Sequence, residues 1–283
     1  DRAKSDPKRL VFAEADQMDV LKAAQIVEEE GIAKPILLGN KAVINDLRKA
    51  IDFDAELEII DPKDESHDAQ RKMYAALFWK DQKRKGYTLY DAERLMWERN
   101  YFASMMVKNG DADAMLSGYS RNYRSVVKPI LETISKAKGV SKVAATNLML
   151  TKSGPLFLSD TTINVEPSAS ELAKIAQMTG HMAGLFGIEP IIAMVSFSNF
   201  GSSRFIQAKK VTEAVSILHR SNPKLVVDGP IQSDFALNKE LLHKVFPFSA
   251  LKNKKVNILI FPNLDAANIT YKLMKELNEA LSI

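Results

Sequence analysis

The sequence predicts an α/β protein, and three observations carry that prediction. Short apolar runs at residues 8–13, 35–39 and 57–60 alternate with amphipathic stretches at 18–30 and 41–51, the βαβ rhythm of a parallel sheet covered on both faces. Farther on, the apolar run Ile191-Ile192-Ala193-Met194-Val195 delivers a small polar turn, Ser196 to Ser203, to a helical pattern that begins near Arg204. The third observation is bulk. At 283 residues, with 46% hydrophobic and 26% charged residues, the chain can bury the cores of two domains.

The first helix carries Val20, Leu21, Ala24 and Val27 on one face and stops at Gly31. After the third strand, closed by Asp61-Pro62, residues 66–110 read as helical and strongly charged. Within them Lys83-Arg84-Lys85 suits either a cationic edge of an anion site or a solvated face, the commoner origin of such a run. Thr88 starts a new helix, Gly110 to Asp113 breaks the pattern, and residues 114–118 form a strand that ends on Gly118. The loop that follows, Tyr119-Ser120-Arg121-Asn122-Tyr123-Arg124, is cationic and lies beyond a strand end, where open α/β sheets bind ligands. Arg121 is therefore a candidate binding residue, against the plainer reading of a surface helix N-terminus. That helix continues through Val126 and Val127 to Lys128-Pro129.

Residues 143–150 and 155–159 are apolar runs joined by Thr151-Lys152-Ser153-Gly154, a hairpin signature that interrupts the alternation and marks a second domain. Asp160-Thr161-Thr162 leads to a helix over 168–186, with Ser168 and Glu171 spaced for a capping box. The loop after residue 195 is a candidate anion site. Gly201 allows close backbone approach, and Ser198, Asn199, Ser202 and Ser203 add short donors beside a helix start. The same residues equally suit an ordinary strand-to-helix turn with a capping serine. Val211, Ala214, Val215 and Leu218 then make a core-facing stripe. The last strand, residues 256–261, feeds a helix carrying Ile269, Leu273 and Leu277, where Asp265 and Asn268 either cap the helix or meet a ligand.

Several classes are excluded. No cysteine is present, which removes disulfide frameworks and thiolate zinc sites. The four histidines are scattered without H-E-x-x-H, and neither G-x-G-x-x-G nor a P-loop occurs. No apolar run approaches membrane-spanning length and no signal peptide is visible, so the expectation is a cytoplasmic protein with no membrane partner. A net charge of +4, spread along the chain, favours small anions and not nucleic acid. Starting without Met and stopping inside an apolar element, the sequence reads as part of a longer polypeptide.

The order of landmarks is specific. From Leu10-Val11-Phe12-Ala13-Glu14 through Gly110-Asp111-Ala112-Asp113-Ala114 and Gly187-Ile188-Glu189-Pro190 to Phe261-Pro262-Asn263-Leu264, the sequence resembles phosphate acetyltransferases (phosphotransacetylases). Four further segments most resemble the phosphotransacetylase-like domain at the C-terminus of bacterial NADP-dependent malic enzymes: Ser120-Arg121-Asn122-Tyr123, Asp160-Thr161-Thr162-Ile163-Asn164, Ser196-Phe197-Ser198-Asn199-Phe200-Gly201-Ser202 and Ala267-Asn268-Ile269.

The resemblance implies two three-layer α/β/α domains with a ligand cleft between them, in a homo-oligomer. The expected first domain covers residues 1–140 and is completed by 273–283; the second covers 141–272. Acetyl-CoA or CoA is the implied ligand, with Arg121, Lys128, Asp160, Ser198, Asn199, Gly201, Ser202, Ser203 and Asn268 as expected contacts. NADP and a divalent metal belong to a covalently linked malic enzyme domain that this chain does not contain. The family usually has Lys at Phe200, Arg at Lys128, Glu at Pro230 and Asp at Asn263, and its proposed basic Asp would lie after Ile283. No catalytic residue can therefore be assigned. The expectation is an acetyl-CoA-binding regulatory domain, with an active phosphate acetyltransferase as the alternative.

Overall fold

Val11 and Phe12 are neighbours in the first strand and point into different cores. The computed structural model describes residues 2–137, 140–277 and 281–282, in two units, Asp1–Ala137 and Lys138–Ile283. The first unit runs α1 (Arg2–Ser5), β1 (Lys8–Phe12), α2 (Met18–Glu29), β2 (Ala33–Leu38), α3 (Lys41–Ala50), β3 (Glu58–Ile60), α4 (Asp68–Gln82), α5 (Leu89–Leu95), α6 (Arg99–Asn109), β4 (Ala114–Leu116) and α7 (Tyr123–Thr133). Its sheet is wholly parallel in the order β3-β2-β1-β4. Side chains alternate across a strand, so Phe12 and Leu37 join Leu21 and Ile44 of α2 and α3 on one face. Val11, Ile36 and Leu38 join Tyr74, Phe78 and Phe102 of α4 and α6 on the other.

The second unit runs β5 (Thr146–Thr151), β6 (Gly154–Ser159), α8 (Ala169–Leu185), β7 (Ile191–Val195), α9 (Ile206–Ser221), β8 (Val226–Ile231), α10 (Ser233–Leu237), α11 (Lys239–Val245), β9 (Ile258–Ile260), α12 (Leu264–Leu277) and β10 (Leu281–Ser282). The strand order is β10-β5-β6-β9-β7-β8. Strands β6, β9, β7 and β8 are parallel, while the hairpin expected at residues 151–154 makes β5 antiparallel to β6. Ile192, Met194 and Val227 pack with α8 and α9 on one face. Ala193, Val195 and Leu259 pack with residues of α10, α11 and α12 on the other. Each unit is thus a three-layer α/β/α sandwich.

The segment 273–283 is expected to complete the first domain; of its described residues, α12 runs on to Leu277, and Leu281 and Ser282 pair with Leu150 and Met149 of β5, in the sheet of the second unit. The hairpin leaves β5 with an open edge, and Leu281 and Ser282 cover part of it.

The capping box of α8 forms as its spacing predicts. Ser168 accepts from the Glu171 N–H while Glu171 accepts from the Ser168 N–H. Lys142, 2.8 Å away, together with Ser168 holds the Glu171 carboxyl down at about 2. Asp113 is likewise held at about 2 by the Arg9 side chain and N–H. Both values are depressed, so the stability that these groups contribute is complete above the ordinary carboxylate range near 4 and is lost as pH falls through about 2. Melting temperature should therefore fall more steeply in wild type than in an Asp113→Asn/Glu171→Gln double variant between about pH 5 and about pH 2. Parallel curves would refute the assignment.

Candidate ligand-binding site

In the second unit the parallel strands β6, β9, β7 and β8 end at one edge of the sheet, and all the candidate residues of that unit except Asn268 sit in the loops beyond them. Asp160, directly after β6, is 4% exposed. Its carboxylate accepts from the N–H groups of Ala145, Thr162, Ile163 and Asn164 at 2.9–3.1 Å and from the Asn164 side-chain amide. Those bonds make Asp160 the brace of the 160–164 loop. Asn268, on α12, donates from Nδ2 to the Thr161 carbonyl at 3.0 Å, tying the helix to the same loop. Neither Asn268 nor Asp265 caps α12; Asn263 does, its Oδ1 accepting from the Ala266 N–H at 3.0 Å.

The loop after β7 is held from within. The hydroxyls of Ser198 and Ser202 lie 2.9 Å apart, the Asn199 N–H donates to the Ser202 hydroxyl, and the Ser202 N–H donates to the Asn199 carbonyl. The Asn199 side chain exchanges two hydrogen bonds with Gln232, which follows β8. Phe200 and Gly201 take positive φ of 45° and 87°, a turn that only glycine adopts without strain. It leaves the Gly201 and Ser203 N–H groups without an acceptor among the described residues. Helix α9 starts at Ile206, two residues later than the sequence indicates, because the Ser203 hydroxyl accepts from the Phe205 N–H and so closes a turn before the helix. No side chain caps α9; Ala208 donates to the Phe205 carbonyl, while the N–H groups of Ile206 and Gln207 have no acceptor among the described residues, a favourable place for an anion.

Phe200 decides the chemistry of this loop. Its ring packs edge-on against Phe246 and Phe248, with centroids at 5.0 and 4.9 Å, and its N–H donates to the Pro230 carbonyl at 2.7 Å. The loop offers hydroxyls and backbone donors, whereas the position where the resemblance expects a lysine contributes an aromatic ring to a cluster.

In the first unit, Glu14 follows β1 and is 1% exposed. It accepts from the N–H groups of Gly118, Tyr119 and Ser120 at 2.7–3.0 Å and from the Ser120 hydroxyl at 2.5 Å. Burial pushes its carboxyl up, and those four donors outweigh burial and leave it lowered. Asp16 forms a two-pronged pair with Arg99 at 2.7 and 2.8 Å. Arg71 is 4% exposed; its guanidinium grips the carbonyls of Pro62 and Asp64 and lies 4.1 Å from the Trp97 ring. These contacts fix the loops around a cavity of about 310 Å³ bordered by residues 39–40, 61–63, Arg94, 97–99 and Arg121. Lys128 does not border it; its amino group lies 3.8 Å from Glu132, one helical turn on. Lys63 and Arg94 escaped the sequence reading. Glu14, an acid at the end of an apolar strand, entered it only within the Leu10 to Glu14 landmark and without a role.

With this geometry in place, relatives can be compared. The family profile described as Phosphate acetyl/butaryl transferase matches residues 1–283. The chain belongs to that family. A phosphate acetyltransferase of Thermoanaerobacterium thermosaccharolyticum is 37% identical over 100% of this chain and 87% of its own length. An NADP-dependent malic enzyme of Salmonella typhimurium is 36% identical over 97% of this chain but only 36% of its own length. The chain thus spans about a third of the malic enzymes that it matches. A phosphotransacetylase from Streptococcus pyogenes superposes with a TM-score of 0.86 at 33% identity, covering 98% of this chain and 83% of that one. Relatives of this chain therefore include both free-standing phosphate acetyltransferases and the much longer malic enzymes.

Proposed function

We propose that this chain is the acetyl-CoA-binding, regulatory phosphotransacetylase-like part of an NADP-dependent, oxaloacetate-decarboxylating malic enzyme. Phe200 carries the reading. A ring locked into the Phe246 and Phe248 cluster cannot supply the cation that would position a transferring phosphate, and a lost charge-assisted hydrogen bond costs about 1.5–3 kcal/mol. Lys128 keeps a charge but lacks the forked grip of Arg. Binding survives these changes, because in the second unit the open donors of Gly201 and Ser203 and the side chains of Ser198, Asn199 and Ser202 still suit an anionic ligand, and in the first unit Arg121 and Lys128 are candidate cations in their own right. Asp160 and Asn268 support that ligand by holding the 160–164 loop. NADP and the divalent metal belong to the linked malic enzyme part.

The rival reading, an active phosphate acetyltransferase, is favoured by the similarity to the Thermoanaerobacterium enzyme over 87% of its length. The test uses the full-length natural polypeptide. Acetyl-CoA should bind and change the rate of malate decarboxylation, while acetyl phosphate should form from acetyl-CoA and phosphate far more slowly than about 10 s⁻¹, an ordinary enzyme rate. Transfer above that rate, or a decarboxylation rate indifferent to acetyl-CoA, overturns the regulatory reading.

Self-association belongs to the same proposal. Ile269, Leu273 and Leu277 form an apolar stripe along α12 with exposures of 58%, 53% and 77%, surface that an oligomer would cover. Sedimentation should show a concentration-dependent oligomer. A monomer at every concentration removes the claim.

A further inference from the structure

The second unit carries a groove of about 1000 Å³ at the end of its sheet away from the 196–203 loop. The 151–154 turn, which opens β6, and residues 254–256, which lead into β9, border it. It therefore lies where the parallel strands begin, whereas Asp160 and the 198–203 loop lie beyond the ends of β6 and β7. Its floor is the outer side of a core. Leu156, Ala236 and Val256 are buried members of the cluster shared with α10, α11 and α12, and Met274 packs against that cluster. Leu150, Leu237 and Leu277 are exposed walls. Apolar surface thus runs from the interior out to solvent, and covering it is favourable.

The rim is cationic. Lys152, Lys239, Lys254 and Lys255 border the groove, and no acid does. Glu240 and Glu276 adjoin lining residues in the chain without bordering it. Lys255 donates to the Ser153 carbonyl and is fixed at the turn. Among the described residues the ammonium groups of Lys152, Lys239 and Lys254 have no hydrogen-bond or ion-pair partner, and all three side chains are exposed. A lysine lays its methylene stem along apolar surface and keeps its charge at the water, so the rim extends the walls and sets positive charge above them. A hydrocarbon body with a negative head matches that arrangement. The lining holds no arginine, so the rim offers point charges and not a directed fork, which suits a compact head such as a carboxylate. The volume lies at the upper end of small-molecule pockets, which run from about 300 to about 1,000 Å³, and so admits a chain as well as a head.

We propose that this groove binds an aliphatic carboxylate of medium chain length, its chain along Leu156, Val256 and Met274 and its head among Lys152, Lys239 and Lys254. The site is built from the second unit alone, is separate from the anion loop after β7, and does not depend on the regulatory reading.

Calorimetry on the full-length protein in low-salt buffer tests the proposal with hexanoate, octanoate and decanoate, each below its micellar concentration. Decanoate should bind at a single site per chain with a Kd below about 1 mM, and affinity should rise about two- to fourfold for each added methylene. The triple variant Lys152→Gln/Lys239→Gln/Lys254→Gln should weaken decanoate about tenfold, and Leu237→Ser about threefold or more. Lys209→Gln, on α9, should change nothing. All of these side chains are exposed, so melting curves of the variants should match wild type. Octylammonium that binds as tightly as octanoate refutes the role of the lysines, and affinity indifferent to chain length refutes the role of the apolar floor; either result overturns the proposal. Uptake of many decanoates per chain, or equal affinity in wild type and the triple variant, does so as well. Leu277 is shared with the apolar stripe of α12, which makes a second copy of the chain the competing occupant. Decanoate affinity that falls as protein concentration rises, or no saturable binding at any concentration, means that the groove is already covered and the proposal fails.

Discussion

Asp160→Ala is expected to lower the stability of the second unit by about 3–5 kcal/mol, the upper range for a single buried substitution. The carboxylate is nearly inaccessible and accepts from four backbone N–H groups and one side-chain amide. Alanine would leave those donors without an acceptor, each at about 1–3 kcal/mol where water cannot reach. Asp160→Asn should lie between the two, because one amide oxygen can still accept while the NH2 group faces other donors. Urea unfolding of both variants reads the effect as a shifted midpoint at unchanged slope. A loss under about 1 kcal/mol for alanine would mean that the loop rearranges freely, and Asp160 would not be its brace.

Gly229→Ala should be comparably damaging for a different reason. Gly229 has φ of 145° within β8, and a Cβ there would collide with the Met194 carbonyl oxygen and lie 3.0 Å from the Met194 Cβ. The pairing of β7 with β8 shifts register at this point, from Ala193 opposite Asp228 to Val195 opposite Ile231, as strands do where a glycine admits close backbone approach. Both backbones are buried in the sheet, so the clash cannot be relieved without moving a strand, at an expected cost of about 3 kcal/mol or more. Gly184→Ala is the control. Its Cβ would meet nothing within 4 Å in helix α8, so it should be neutral or stabilise by up to about 1 kcal/mol. Equal melting temperatures for the two variants would refute the steric argument.

Local order was legible in the sequence because its signals are local. The Thr88 start, the Ser168 and Glu171 box and the 151–154 turn involve residues within a few positions of each other, and all three form. The start of α9 was misjudged by two residues because Ser203 serves the turn before the helix. The pairing of Leu281 and Ser282 with β5 was not legible, because it depends on an edge that only the folded sheet exposes. The cavity of the first unit was legible only at Arg121. Lys63 and Arg94 lie in a loop and a helix without distinctive spacing, and their charges converge only once the strand order β3-β2-β1-β4 is fixed.

Glu14 has a consequence for the timescale on which the Arg121 loop opens. Gly118, Tyr119 and Ser120 are exposed at the surface, yet all three amides donate to a carboxylate that is itself buried. To exchange their hydrogens for deuterium they must first leave Glu14, exposing an uncompensated charge to the interior. These loop amides should therefore exchange with the slow kinetics of core strands. Tyr123 and Arg124, just beyond, should exchange at rates typical of a helix start. A ligand that draws on Arg121 thus meets a loop already anchored at its root.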